Sequence, residues 1–177
     1  MSVSAIVLAA GEGTRMRSSR PKPLHMICGR AMVLHVIHAL EKLAPERTAI
    51  VVGHGAEQVT KKVQSMAPAW ANVAFVEQIE QNGTGDAASI GMTAFDGDDY
   101  DDESTILILP GDTPLLQADT LDELVATHVA NGNAATLLTS VMDDPTGYGR
   151  VVRGRDGQVQ RIVEQRDASP EELDMRE

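Results

Sequence analysis

The sequence predicts an α/β protein with a Rossmann-like, mostly parallel, doubly wound sheet, and three observations carry that expectation. Apolar runs of strand length alternate with stretches in which apolar residues recur every three or four positions, the pattern of β-α-β units joined by right-handed crossovers. The runs are apolar almost throughout, as strands covered on both faces must be. The composition is aliphatic, with 42% apolar and only 3% aromatic residues in a chain of 177, long enough for one domain with a substantial core.

Residues 4–10 (SAIVLAA) form a continuous apolar run that ends at Gly11, suited to a buried first strand. Beyond Met32, Val33, Val36, Ile37, Leu40 and Leu43 keep helical spacing and mark a crossover helix. Residues 48–53 (TAIVVG) read as a second strand, Val59, Val63 and Met66 mark a second helix, and residues 73–78 (VAFVEQ) read as a third strand. The small residues at 86–95 are weakly helical, and residues 104–109 (STILIL) make a fourth strand that runs into Pro110, Gly111 and Asp112. Thr120 and Glu123 have capping-box spacing ahead of Leu121, Leu124, Val125 and Val129, and Gly132 is placed to close that helix. Residues 134–141 (AATLLTSV) are expected to be another strand. After Asp144 the pattern changes, because residues 148–153 and 158–165 flank an Asp156-Gly157 turn and predict a late antiparallel hairpin. Residues 166–177 are polar and charged.

The net charge of −11 comes from 26 acidic against 15 basic residues. That field repels polyanions, so neither nucleic acid nor an anionic membrane is expected as a partner. A small phosphorylated ligand remains compatible if cations gather in one cleft. Cys28, the lone cysteine, can form no internal disulfide, and the opening MSVSAIVLAA lacks the basic start and cleavage segment of a signal peptide. No stretch is apolar for the roughly 18 residues of a membrane span. These features predict a cytoplasmic protein.

Ligands of such sheets gather outside the carboxyl ends of the strands, so function is expected in the loops at 11–22 and 110–112. In the first, Gly11 and Gly13 allow backbone N–H groups to approach an anion, and Arg15, Arg17, Arg20 and Lys22 add charge. The loop is not a Walker loop, since no Gly-Lys-Ser/Thr follows, and Met16 occupies the third glycine position of the dinucleotide fingerprint. A glycine turn in a solvated loop is the competing reading. Lys22 lies between Pro21 and Pro23, whose fixed φ angles restrict where its ammonium can point. In the second loop, Asp112 at a strand end is placed to let a hard cation bridge it to ligand phosphates, or to form an Asx turn onto Thr113.

Five segments, LAAGEGTRMRSSRPKPLH, EQIEQNGTGDA, LPGDTPLL, DPTGYGR and IVEQRDAS, together resemble the sugar-1-phosphate nucleotidyltransferases in order and spacing over essentially the whole chain. Among these, the chain is similar to the uridylyltransferase (pyrophosphorylase) domains that make UDP-N-acetylglucosamine for peptidoglycan precursors. Cytidylyltransferases of isoprenoid synthesis and molybdopterin guanylyltransferases share loops like the first segment; Tyr148-Gly149-Arg150 and Ile162-Val163-Glu164 favour the sugar-phosphate branch. The resemblance implies a sheet of the nucleotidyltransferase, GT-A-like type, Mg²⁺ as cofactor, and UTP and N-acetylglucosamine 1-phosphate as substrates. By the same resemblance, Leu8, Ala9, Ala10, Gly11 and Gly13 would frame the nucleotide, and Arg15 and Lys22 would be the catalytic cations on the triphosphate. Gln78, Gly83 and Thr84 would read uracil, Asp112 would hold Mg²⁺, and Gly149 through its backbone and Glu164 through its carboxylate would contact the amino sugar. The implied reaction is in-line attack of the sugar phosphate on the α-phosphorus of UTP, with no covalent intermediate.

Two departures stand out. Asp86 occupies the position where the family often has His after Gly-Thr-Gly, and Asn82 replaces a usual Leu. In the family the sequence also continues from the position of Glu177 into a strand with a sugar-site Asn, then to a second Asn that shares the metal, and later to an acetyltransferase β-helix that forms trimers. The resemblance therefore implies a nucleotidyltransferase domain over residues 1–177 that is incomplete at its C-terminal end and has no β-helix, with no trimer expected and weak self-association through an exposed sheet edge. The alternatives are a nucleotidyltransferase for another sugar 1-phosphate, or a nucleotide-binding chain without turnover.

Other constellations read as structural. His35 and His38 lie one turn apart but lack a third ligand nearby. His25 is expected to pack beneath the loop, and His54 and His128 to be loop and helix residues. The run FDGDDYDDES at 95–104 lacks EF-hand spacing and reads as a solvated loop. Cys28, with no base beside it, is expected to be a small buried residue.

Overall fold

The computed structural model describes residues 2–13, 16–95 and 104–177. The acidic run falls largely outside them, as does Arg15. The chain forms two compact units, Met1–Asn131 and Gly132–Glu177.

The first unit is a parallel sheet between helices. Its strands are β1 (Val3–Ala9), β4 (Thr48–Val52), β5 (Val73–Glu77) and β6 (Thr105–Pro110), in the spatial order β5-β4-β1-β6. Between β1 and β4 come a short ribbon, β2 (Met26–Ile27) and β3 (Arg30–Ala31), and helix α1 (Met32–Ala39). Helices α2 (Ala56–Met66), α3 (Thr84–Met92) and α4 (Ala118–Ala130) complete the unit. All the sheet ladders are parallel: β1 pairs along one edge with β4, Ala5 opposite Thr48 to Ala9 opposite Val52, and along the other with β6, Val3 opposite Thr105 to Leu8 opposite Pro110. The four strands expected from the sequence are thus present, each shifted by no more than a residue. The same holds for the expected parallel, Rossmann-like architecture.

Alternation along β1 divides the core. Ala5, Val7 and Ala9 face one layer with Ile50 and Val52, where they meet Val33, Leu34, Val36, Ile37 and Leu40 of the α1 region, Val59 and Val63 of α2, and Leu121 of α4. Ile6 and Ala10 face the other layer with Ala49 and Val51, against Ala87 and Ile90 of α3. A helix-period stripe on each side of a two-faced apolar sheet is what the sequence pattern demanded. Helix α1 ends at Ala39, before Leu43, and the chain turns there with Ala44 at φ 41°. Met66 closes α2 half exposed, while Val59 and Val63 are fully buried.

Three expectations are corrected. Thr120 does not cap α4: the helix starts at Ala118 behind Gln117, with no side-chain cap, so Thr120 is already interior. Cys28 is exposed, because it forms with Gly29 the tip of the β2–β3 turn at φ 47°, pointing away from any core. Residues 134–141 pair with no strand. Their apolar, β-branched pattern favours a pleated half-buried surface only where one exists, and Leu137, Leu138 and Val141 remain exposed.

The second unit holds the expected hairpin. Strands β7 (Arg150–Arg153) and β8 (Val159–Val163) pair antiparallel, Arg150 opposite Val163, around the Asp156-Gly157 turn. A short helix α5 (Pro170–Leu173) follows, opened by a complete capping box in which Ser169 and Glu172 satisfy each other's backbone N–H. The pattern read at Thr120 is realised here. Among the described residues, no helix is long and apolar enough to cross a membrane.

Two outcomes follow from this packing. A Cβ on Gly91 would lie 2.5 Å from Cγ2 of Ile6 and 3.1 Å from Cγ2 of Val51, both inside the α3 face of the sheet. Gly91→Ala should therefore cost about 1–3 kcal/mol of stability in denaturant unfolding, the usual scale of overpacking. In the hairpin unit, the Glu177 carboxylate accepts from the Arg153 guanidinium and from Thr139 Oγ1 (2.7 Å), which hold its pKa at about 2 against an ordinary 4.5. A depressed folded-state pKa means that this stabilisation is complete above the ordinary value and is lost as pH falls through the folded one. Glu177→Gln should accordingly lower the exchange protection of the Val151 N–H, which donates to the Glu177 carbonyl at 2.9 Å, at about pH 6 and not at about pH 2.

Candidate functional site

Strand order reverses at β1: the chain builds outward through β4 and β5, then crosses back to lay β6 on the opposite edge of β1. The crevice outside the carboxyl ends of β1 and β6 is the position where parallel sheets bind ligands. Two loops meet there. The carbonyl of Leu8 accepts from the Gly111 N–H at 2.8 Å, which holds the two strand ends together. The carbonyl of Ala10 accepts from the His54 N–H (3.1 Å) and from Gln81 Nε2 (2.9 Å), tying the loops after β4 and β5 to the same point.

Lys22 and Asp112, proposed from separate stretches of sequence, form an ion pair across this crevice, with about a third of each side chain exposed. Pro21 and Pro23 are buried on either side of Lys22, and a 3-10 turn over Lys22–Leu24 fixes the backbone, with the Leu24 N–H donating to the Pro21 carbonyl at 2.9 Å. Gly13 explains how the lysine stem crosses the loop: it sits at φ 64°, and a Cβ there would come within 2.6 Å of Lys22 Cβ. His25 is half-buried, its Nε2 3.2 Å from the Arg20 carbonyl. Ala9 and Ala10 are buried at the base, Leu8 is half-buried, and Gly11 is exposed above them.

A second cluster borders the Ala10 carbonyl. Gln78, which follows β5, is only 4% exposed. Its Nε2 donates to Asp86 Oδ2 at 2.7 Å and, more distantly, to the Gly83 carbonyl at 3.4 Å. Gly83 precedes α3 at φ 103° with nothing within 4 Å of where a side chain would begin. Thr84 opens the helix beside it, exposed.

In the hairpin unit, Gly149 and Glu164 are brought together. The register of Arg150 with Val163 sets them opposite each other at the open end of the hairpin. Arg150 is buried at 3% exposure and donates through one terminal nitrogen to the carbonyls of Pro145 (2.9 Å) and Tyr148 (2.5 Å), which shapes the turn that carries Gly149. Glu164 is exposed.

Gln81 is the site residue that sequence reading missed. In the stretch EQIEQNG nothing distinguishes it from its polar neighbours, and only the fold shows that it reaches β1. The paired histidines are structural. His35 Nε2 lies 2.9 Å from the Ile27 carbonyl, while burial and the nearby Arg30 charge hold His38 below its ordinary pKa.

A parallel sheet with a glycine loop, a lysine and a carboxylate converging at its switch point is an α/β arrangement suited to a small anionic ligand. The chain belongs to the MobA-like NTP transferase domain family, which matches residues 5–167, and is a nucleotidyltransferase domain. Among curated relatives it is 48% identical over 169 residues to "Bifunctional protein GlmU" of Thermobifida fusca, covering 96% of this chain and 34% of that protein. It is 46% identical over 175 residues to the protein of the same name from Mycobacterium tuberculosis, covering 98% and 35%. The chain thus spans about a third of the length of these relatives. Among solved structures, the fold is shared with a UDP-glucose pyrophosphorylase from Acinetobacter baumanii (TM-score 0.69, 17% identity, 93% of this chain and 68% of that one). It is shared likewise with HddC from Yersinia pseudotuberculosis (TM-score 0.67, 22% identity, 91% and 68%). Nucleotidyltransferases of this kind generally use a divalent metal.

Proposed function

We propose that this domain transfers UMP from UTP to N-acetylglucosamine 1-phosphate, giving UDP-N-acetylglucosamine and pyrophosphate. The observation that carries the chemistry is the meeting of Lys22 and Asp112 over the glycine loop at the β1/β6 crevice. The substrate pair is supported by likeness at 46–49% identity to GlmU proteins over nearly the whole chain. A cytoplasmic setting belongs to the same reading, supported by the lone cysteine.

Leu8, Ala9, Ala10, Gly11 and Gly13 line the nucleotide in this reading, Gln78, Gly83 and Thr84 meet the base, and Gly149 and Glu164 meet the amino sugar. An oxygen of the sugar phosphate attacks the α-phosphorus in line. The new P–O bond forms as the bond to the β-phosphate bridging oxygen breaks, and pyrophosphate leaves with that electron pair. Lys22 and Arg15 hold the triphosphate and stabilise charge that develops on the transferring group, so that catalysis is positioning plus preorganised electrostatics.

The donor chemistry fits Mg²⁺ held jointly with a ligand. Asp112 offers one hard carboxylate, and among the described residues no group of three or more His, Cys, Asp and Glu side chains gathers to cage an ion. Mg²⁺ is commonly bound by one or two carboxylates together with substrate phosphates. When bound, it would supply Lewis-acid neutralisation of the phosphate oxygens. Asp112 would then exchange Lys22 for the metal, and the lysine, guided by its two buried prolines, would turn to the phosphates.

Pyrophosphate release measured with each of the four nucleoside triphosphates against several sugar 1-phosphates tests the substrate assignment; a preference for another pair overturns it. Lys22→Ala should lower transfer by about 10²-fold or more while leaving unfolding unchanged, the scale for one preorganised electrostatic group. Asp112→Asn keeps the side-chain shape and removes the charge, so the Mg²⁺ concentration needed for half-maximal transfer should rise steeply. An unchanged Mg²⁺ titration would assign Asp112 to restraining Lys22 alone.

A further inference from the structure

The buried amide of Gln78 has a defined sense. Both hydrogens of a side-chain amide sit on nitrogen and both lone pairs on oxygen, so its orientation is set by the neighbours it faces. Here both neighbours of Nε2 are acceptors, the Asp86 carboxylate at 2.7 Å and the Gly83 carbonyl at 3.4 Å. Turning the amide over would put Oε1 against two oxygens with no hydrogen between them. An ionised carboxylate can offer none, and the loss would be felt at a site of 4% exposure. Oε1 takes no partner among the described residues, and it is not one of their buried unpartnered side-chain atoms, which are Thr48 Oγ1 and Arg150 Nε. It therefore keeps access to solvent as a bare acceptor. Asp86 itself lies in the first turn of α3, where the helix dipole complements a negative side chain.

We propose that Asp86 is a specificity-determining, positioning residue: it locks Gln78 with Oε1 presented to the base, so that the site accepts a pyrimidine with a ring N–H, such as uracil, and rejects cytosine, whose N3 carries a lone pair. This rests on the reading that Gln78 meets the base. A uracil N3–H completes the exposed acceptor, whereas cytosine N3 sets two lone pairs against each other in a desolvated contact, and sites built on a buried hydrogen bond discriminate strongly against ligands that leave it unmade. Asp86→Asn removes the lock without changing the shape, because an Asn amide can donate as well as accept and lets Gln78 turn over to offer Nε2.

The test is calorimetric binding of UTP and of CTP, with Mg²⁺, to the full chain and to Asp86→Asn, Asp86→Ser and Gln78→Met. The expected result is a UTP preference in the parent that falls roughly tenfold or more in Asp86→Asn, with unfolding midpoints close to the parent's. Asp86→Ser, whose hydroxyl also donates or accepts, should show the same fall and serves if Asp86→Asn does not fold. Gln78→Met should abolish the preference. If Gln78→Met abolishes it while both Asp86 variants retain the parent ratio, the lock is overturned and the base contact stands. If Gln78→Met leaves the ratio intact, or the parent binds no UTP, the reading of Gln78 fails and the lock with it.

Discussion

The position of β1 between two parallel neighbours is the constraint on which the candidate site depends. Its register with β4 runs from Ala5 to Ala9 and its register with β6 from Val3 to Leu8, so both edges are occupied almost to the last residue. The carbonyls at the end of the ladder then have defined directions. Leu8 takes the Gly111 N–H and Ala10 takes His54 and Gln81, which means that the loops after β4, β5 and β6 are all fastened to the end of one strand. Lys22 and Asp112 come from chain positions 90 apart (112 − 22), and only this convergence makes them neighbours. A slip of β1 by a single residue would exchange its two faces, putting Ile6 where Val7 packs, and would move every attached loop with it.

Within an acidic molecule of net charge −11, a cationic loop needs a reason to remain ordered. In the glycine loop that reason is apolar as well as electrostatic. Pro21 and Pro23 are buried, so the backbone on both sides of Lys22 is packed into the protein while the ammonium stays partly exposed. The pairing with Asp112 keeps the charge compensated without hiding it. Exposed ion pairs contribute little to stability; in the proposed reading this one is a holding arrangement, in which a phosphate would take the place of the carboxylate at Lys22 and a cation that of the lysine at Asp112, so that each group keeps an opposite charge beside it.

The legible part of the sequence was the part written in burial. Strands β1, β4, β5 and β6 are apolar runs with turn residues after them, and of the residues that periodicity selects, Val33, Val36 and Ile37 of α1 and Val59 and Val63 of α2 are buried. The hairpin was legible because Asp156-Gly157 is a turn signal between two alternating segments. What failed were signals that several contexts share. Capping-box spacing occurs at Thr120 and at Ser169, and only Ser169 precedes a helix start. The segment 134–141 has strand composition, but composition does not supply a neighbouring strand. Cys28 belongs to a residue type that is commonly buried, yet it stands at a ribbon tip. At the site, Lys22 and Asp112 could each be singled out along the chain, and Gln78 by the resemblance, whereas the pairings they make could not. The Gln78–Asp86 and Lys22–Asp112 contacts, and the tie from Gln81 to Ala10, exist only once the topology has closed.

The two units differ in what holds them, and the difference bears on how Gly149 and Glu164 are positioned. Residues 2–131 have an aliphatic interior; in 132–177 the only buried residues are Arg150 and Glu172, both charged. A lone two-stranded hairpin is marginal in water, and here its support is polar. Arg150 braces the turn at Pro145 and Tyr148 from within, Glu172 closes the α5 capping box and pairs with Arg161, and Glu177 joins Arg153 to Thr139. Burying charges without partners would be prohibitive, so the contacts of Arg150 and Glu172 fix geometry as a condition of their burial. Gly149 and Glu164 therefore owe their juxtaposition to directional contacts, which hold a backbone in one shape but weaken with acid and salt far more than an apolar core does. The crevice at β1 and β6, set by ladder hydrogen bonds over a packed sheet, has no such sensitivity in its frame, only in the Lys22–Asp112 pair that it displays.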